Sequence, residues 1–192
     1  IEELQKHGAP SEILSKAKPH IGTDMLREVV KNIREEIISL GGEVRFLTKV
    51  DDICIRNGKI VSVSAEGMEI PAENVIIAAG HSARDTFKML LDNNVEMIKK
   101  PFAVGVRIEH LQKDINNALY GKFADSPYLG AADYKLAVHL KNGRGVYTFC
   151  MCPGGYVVAA ASEENSIVVN GMSNHSRNGE NANSALVVNV TQ

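Results

Sequence analysis

The sequence predicts an α/β chain, α+β overall, and three observations carry that reading. A helical stripe runs from Thr23 to Leu40, an Asn-Gly turn at 57–58 separates two β-rich runs, and the character changes after Pro101 to short strands divided by Gly, Asn and Pro. Residues 1–100 read as helix, strand, meander, strand and helix. Residues 101–192 read as a mainly antiparallel β subdomain, with the boundary near Pro101.

Each element has a local reason. A short amphipathic helix around Ile1 and Leu4 comes first, and Ser11 is placed to cap a second short one carrying Ile13 and Leu14. Leu26, Val29, Val30, Ile33, Ile37 and Leu40 then recur at helical spacing, with Arg27, Lys31, Arg34 and Glu35 on the remaining face. Thr23 is the expected N-cap, Asp24 suits the positive end of the dipole, and Gly41-Gly42 supplies a left-handed stop. Glu43 to Leu47 alternates as a strand, and Asn57-Gly58 makes a two-residue hairpin because both turn positions need positive φ. A third short strand near Met68 to Ile70 completes a meander.

Val75 to Ala79 is apolar on both faces, which predicts a strand buried between layers of a parallel sheet. Gly80 ends it, Ser82-Ala83-Arg84-Asp85 has the form of a capping box, and Ala83, Phe87, Leu90 and Leu91 give the next helix its apolar face. Beyond Pro101, Phe102 to Ile108 is a strand, and Lys141-Asn142-Gly143-Arg144 joins strands 135–140 and 146–152. Tyr156 to Ala161, Ile167 to Val169 and Ala185 to Val190 read as further strands, and 173–184 as a loop.

Composition narrows the function classes. Lys plus Arg number 21 against 23 Asp plus Glu, a net charge of −2, so bulk charge does not recruit nucleic acid or a membrane surface. The longest apolar run, Tyr156 to Ala161, is 6 residues, far short of the roughly 20 that span a bilayer. Three cysteines, Cys54, Cys150 and Cys152, do not build a disulfide framework and fit a reducing compartment. A cytoplasmic location is therefore expected. The chain opens on Ile and stops after the apolar run Leu186-Val187-Val188, so a piece of a longer protein is expected too.

Several residues are candidates for chemistry. The Val75–Ser82 segment ends in small side chains and opens into a helix, a geometry that admits a ligand close to the backbone, or simply a tight strand-to-helix turn. Arg107 is placed to bind an anion or to lie on a solvated face beside Glu109. His110 suits acid–base work near neutral pH, or a strand end satisfied by backbone. Cys150 and Cys152, two apart in a strand, share a face and read as small hydrophobes, since C-x-C has neither redox-turn nor zinc-site spacing. No metal set is read. Pro153-Gly154-Gly155 lets the backbone pass close to a ligand or a neighbouring strand. His20 stands in a polar loop, and Asn170 to Gly179 is dense enough in donors and acceptors to line a site or to be surface.

Taken in order, Lys18-Pro19-His20-Ile21-Gly22-Thr23-Asp24, Gly80-His81-Ser82-Ala83-Arg84-Asp85, Pro101 to His110 and Cys150-Met151-Cys152-Pro153-Gly154-Gly155-Tyr156 resemble the bacterial family of uncharacterised FAD-dependent dehydrogenases, which are two-dinucleotide-fold flavoproteins. The resemblance implies a partial FAD/NAD(P)-binding-type layer over 1–100, with Val50 and Asp51 at a bend facing the adenine and Ala78, Ala79, Gly80, His81 and Ser82 under the dinucleotide. It implies a substrate-binding subdomain over 101–192, with His20, Arg107, His110, Gly154 and Gly155 as substrate candidates and no catalytic residue assigned. One departure is plain: no Gly-x-Gly-x-x-Gly turn exists, because Gly143-Arg144-Gly145 has Thr148 at the third glycine position and lies in a hairpin. The implied whole is an FAD-dependent oxidoreductase of unknown small-molecule substrate, whose partner is the remainder of the parent chain, with no nucleic acid and no membrane. This piece alone is expected to hold no FAD and to be inactive. The rival reading is a non-catalytic module that recognises a peptide, RNA or protein.

Overall fold

The computed structural model describes residues 1–190. Helix α1 (Glu2–Lys6) is followed by one 3-10 turn at Ser11–Leu14 and by α2 (Thr23–Ser39). Strands β1 (Val50–Arg56), β2 (Lys59–Ala65) and β3 (Met68–Pro71) precede α3 (Arg84–Asp92). Then come β4 (Phe102–Leu111), α4 (Gln112–Tyr120), a 3-10 turn at Gly121–Phe123, β5 (Ala137–His139), β6 (Gly145–Cys152), β7 (Gly155–Ala159), β8 (Val169–Ser173) and β9 (Asn181–Val190). The α+β class holds. These elements form two compact units, one of residues 1–42 with the chain from Pro101 onward, the other of residues 43–100.

The 43–100 unit is an antiparallel meander, β1-β2-β3, with α3 against β1. Its first hairpin turns at Asn57 (φ 53°) and Gly58 (φ 75°), the paired left-handed positions that match the twist of the flanking strands. Two expected strands are corrected. Glu43 to Leu47 and Val75 to Ala79 join no sheet, and no parallel pair occurs among the described residues. A strand needs a neighbouring strand to pair its ladder of backbone N–H and C=O groups, and neither segment is paired with one. Leu47 and Ile76 are consequently 95% and 94% exposed. The expected capping box does not close either. Ala83 is the N-cap, while the Asp85 carboxylate accepts the Thr86 N–H at 2.9 Å and pairs with Lys49.

In the other unit, Val29 of α2 is fully buried against Ala9 and Ile13, with Leu4, Ile21 and Ile33 around them. The helix begins at Thr23 with Gly22 as its N-cap, so Thr23 is not the cap; its hydroxyl donates instead to the Ser173 carbonyl at 3.3 Å. Nor does Ser11 cap, because Pro10 precedes the 3-10 turn. Gly41 stops α2 with φ 88°, as its sequence predicts.

His7 ties α1 to α2. Its side chain is 10% exposed, and its ring nitrogens meet the Glu3 carbonyl at 2.6 Å and the Glu36 carboxylate at 2.5 Å. Two acceptors favour the imidazolium, which donates to both, so the His7 pKa is raised, first by the Glu3 carbonyl and then, against burial, by Glu36. The donor atoms of Glu3, His7 and Glu36 lie within 4.8 Å of one another, but Lys6 already holds Glu3 and His7 holds Glu36. A raised pKa sets the sign: this tie is complete below the unfolded histidine value of about 6.5 and is lost as pH rises through the folded value. Thermal melts are expected to show the wild type losing stability across that interval, and His7→Ala abolishing that part of the pH dependence. An unchanged profile in the variant would rule the tie out.

Sheet β4-β9-β6-β5 is antiparallel throughout, and its register sorts the residues by face. Phe102, Val104, Val106 and Ile108 share one face with Val190, Val188 and Leu186 of β9. Helix α4 covers that face only at the Ile108–Leu186 end, and Phe102, Val104 and Val106 stay exposed. Arg107 and Asn183 lie on the opposite face, against which the β7–β8 hairpin packs. Two features differ from the expectation of short strands and a long loop. Leu111, Ile115 and Leu119 sit at helical spacing in and before α4, and β9 begins at Asn181, inside the segment whose polar residues read as loop.

Candidate functional site

The 43–100 unit holds a cavity of about 530 Å³. Val50 from β1 and Ala78 and Ala79 from the unpaired segment line it, together with Ile53, Val63 and Met89. Three of the seven residues implied as cofactor contacts are thereby brought to one place. Asp51, Gly80, His81 and Ser82 do not line it; Asp51 accepts the Glu66 N–H at 3.1 Å, and Gly80 takes φ 81° in open space. The walls are chiefly apolar and small, which suits a flat apolar ring rather than a phosphate.

The second cavity, about 380 Å³, belongs to the other unit. Three segments build it: the loop before α2 with His20, Ile21 and Gly22; the end of β6 with Met151, Cys152 and Pro153; and β8 with the loop after it, through Gly171, Met172, Ser173 and Arg177. The loops are locked to each other. His175 N–H donates to the Asp24 carboxylate at 2.9 Å, and His20 Nε2–H donates to the Asn174 carbonyl at 3.0 Å. His20 and His175 stack with ring centroids 6.3 Å apart. The Asp24 pKa is lowered, chiefly by that His175 N–H.

Arg107 lies beside the same cavity, behind Gly171. Its Nη1 donates to Asn183 Oδ1 at 2.6 Å and to the Cys150 carbonyl at 3.1 Å, and makes no ion pair with Glu109. A bulge in β6 turns that carbonyl toward Arg107: the register shifts between Phe149 and Cys152, with Cys150 at φ 46°. The bulge also overturns the shared face expected of the two cysteines, since strict alternation is lost. Cys150 is exposed and Cys152 half-buried. Burial, outweighing the nearby Arg107, raises the Cys152 pKa, which keeps it a thiol rather than a nucleophile.

His110 is not part of this arrangement. It points to the other face of β4, where its ring lies 5.6 Å from that of Tyr134 in a separate cavity of about 520 Å³. Gly154 and Gly155 stand behind the cavity rather than in its lining, pressed on the chain's own backbone: a Cβ at Gly154 would lie 1.8 Å from the Arg177 carbonyl oxygen, and one at Gly155 2.2 Å from that of Met172.

Residues 101–192 match the family described as FAD-dependent protein, C-terminal domain-like. That part of the chain is similar to this family. An uncharacterised protein of Clostridium beijerinckii is 55% identical over all 192 residues, and the chain spans 36% of that relative's length. Among the described residues, no helix is long and apolar enough to cross a membrane.

Within the part of the chain that matches this family, two residues of the site, Asn183 and Gln112, escaped the sequence reading, and Arg177 enters it only as part of the donor-dense Asn170–Gly179 loop. Asn183 is fully buried, Arg177 lines the cavity, and Gln112, 6% exposed, anchors the turn behind it. Polar residues between Gly and Ser look like surface loop until a packed partner is known. For Arg177, the density of donors in 170–179 was the available signal.

Proposed function

We propose that this chain is part of an FAD-dependent oxidoreductase, a dehydrogenase in the whole protein, and that it contributes the substrate-binding part with the later half of the cofactor surface. The observation that carries the reading is the match of residues 101–192 to the FAD-dependent C-terminal-like family. The residues of the 43–100 unit fit one portion of the cofactor. Val50, Ala78 and Ala79 would hold an apolar ring edge, while no glycine-rich turn offers a cradle for the pyrophosphate. When bound, the flavin supplies the electron transfer. This chain's own residues bind and orient. The Arg107 guanidinium, packed behind Gly171, presents fixed positive charge beside the cavity, and the locked loops at His20 and His175 shape its mouth.

The test is a visible absorption spectrum of the full-length protein, beside this chain alone, after both are soaked in FAD and freed of excess. Flavin bands in the full-length protein and none in the chain alone are the expected result, with bleaching of the bands by NADH, NADPH or a reducing substrate. A full-length protein without flavin would overturn the reading and favour a binding module. A flavin that no reductant bleaches would remove the dehydrogenase assignment alone.

A further inference from the structure

We infer that the apolar face of sheet β4-β9-β6-β5 is covered by polypeptide of the same protein lying outside these 192 residues. The inference rests on the reading of the chain as part of a longer protein, and it names the surface on which the rest docks. The register builds that face row by row. Val138, Val146, Val188 and Val104 pair directly across β5, β6, β9 and β4, and the next row runs from Thr148 through Leu186 to Val106, with Phe102 opposite Val190 at the end. No charged side chain interrupts these rows. Phe102, Val104 and Val106 are nonetheless 63%, 52% and 64% exposed. The other face of the same strands carries Arg107, Asn183 and Asn189, and the β7–β8 hairpin packs against it. A sheet buries its apolar face against another layer, and a contiguous apolar patch left open marks an interaction surface.

Helix α4 starts that layer and cannot finish it. It follows β4 directly at Leu111, and its 9 residues extend about 14 Å against about 34 Å for the 10 residues of β4. Ile115, Ala118 and Leu119 reach Ile108, Leu136 and Leu186, and leave Val104 and Val138 bare. The size of the gap selects the occupant. Four strands about 4.8 Å apart, over the 5 residues from Phe102 to Val106, make roughly 300 Å² in projection, well under the about 800 Å² per partner that a free dimer needs. A tethered segment needs less area, because its attachment keeps its effective concentration high. Length is available for one. The Clostridium beijerinckii relative matches this chain along all 192 residues and has nearly two-thirds of its own length besides. A small molecule fits less well, since Thr148, the polar side chain of these rows, already bonds the Leu136 backbone and nothing else would orient it.

The experiment labels the full-length protein with a thiol reagent and reads each site by peptide mass. Val104→Cys probes the valine row, and Lys141→Cys, in the exposed turn between β5 and β6, is the reference. The Val104→Cys site is expected to react about a hundredfold or more slowly than the reference, at every protein concentration. Equal rates would show a bare face and overturn the inference. Protection lost on dilution would assign the face to a second copy and overturn it as well. Val104→Met, made with a diazirine-bearing methionine, identifies the occupant. Irradiation is expected to join position 104 to a peptide of the same molecule outside residues 1–192, with links to its own sheet neighbours as the positive control. Neighbour links alone, or links between isotopically heavy and light copies in a mixture, would overturn the inference. Both variants keep a small or flexible apolar side chain, and a thermal melt checks that they are folded. The flavin spectrum separates the two readings: flavin with a bare face defeats this inference alone, and a covered face without flavin defeats the oxidoreductase reading alone.

Discussion

Gly154→Ala is expected to destabilise the β7–β8 unit by roughly 2–6 kcal/mol, the combined scale of left-handed backbone strain and of an overpacked contact. The residue has φ 52°, and an added Cβ would lie 1.8 Å from the Arg177 carbonyl oxygen and 2.2 Å from its carbon. Both are backbone atoms, so no side-chain rotation relieves the overlap. Relief requires moving the 174–179 loop, which Gly154 also holds by accepting the Gly179 N–H at 3.1 Å. A matched control separates close approach from conformation. Gly143 has φ 83° with nothing within 4 Å, so Gly143→Ala is expected to cost only about 1–2 kcal/mol. Urea denaturation followed by circular dichroism reads both. Equal midpoints for the two variants would show that the close approach contributes nothing.

The same loop shows which features a sequence can display. Helix α2 and the Asn57–Gly58 hairpin are legible because their causes are local: apolar spacing in one case, two positive φ angles in the other. Val75 to Ala79 has the composition of a central strand, yet strand identity depends on a neighbouring edge that composition does not reveal. The separation of Arg107 from His110 was present in the alternation of β4, since an odd offset places two residues on opposite faces. What alternation cannot show is which face becomes the site. That follows from the β7–β8 hairpin and from a bulge at Cys150, both set by packing far along the chain. Arg107 was legible as a candidate because a charged side chain within an apolar strand demands a reason. Asn183 was not, because its burial is a property of the whole sheet.

Gln112→Ala is expected to cost about 2–6 kcal/mol, the scale for leaving two buried backbone groups without partners. Its side chain serves both at once. Oε1 accepts the Gly154 N–H at 2.7 Å, and Nε2 donates to the Ala132 carbonyl at 3.0 Å and to Asn116 Oδ1 at 2.8 Å. Asn116 in turn accepts the Ala132 N–H at 3.0 Å, so one amide joins α4, the loop around Ala132 and the β6–β7 turn behind the cavity. Water cannot readily substitute, because Ala132 is fully buried. Gln112→Glu divides the effect. A carboxylate still accepts from Gly154 but cannot donate to Ala132, so its loss is expected to track the donor half and to shrink at low pH, where the protonated acid regains a donor. Unfolding midpoints of the wild type and the two variants at neutral and acid pH make the comparison. If Gln112→Ala shifts the midpoint by less than the Gly143→Ala control, the amide is not the clamp that fixes the turn. In that case the position of Pro153 at the cavity wall must be held by the Ser173 hydroxyl, which donates to its carbonyl at 2.8 Å.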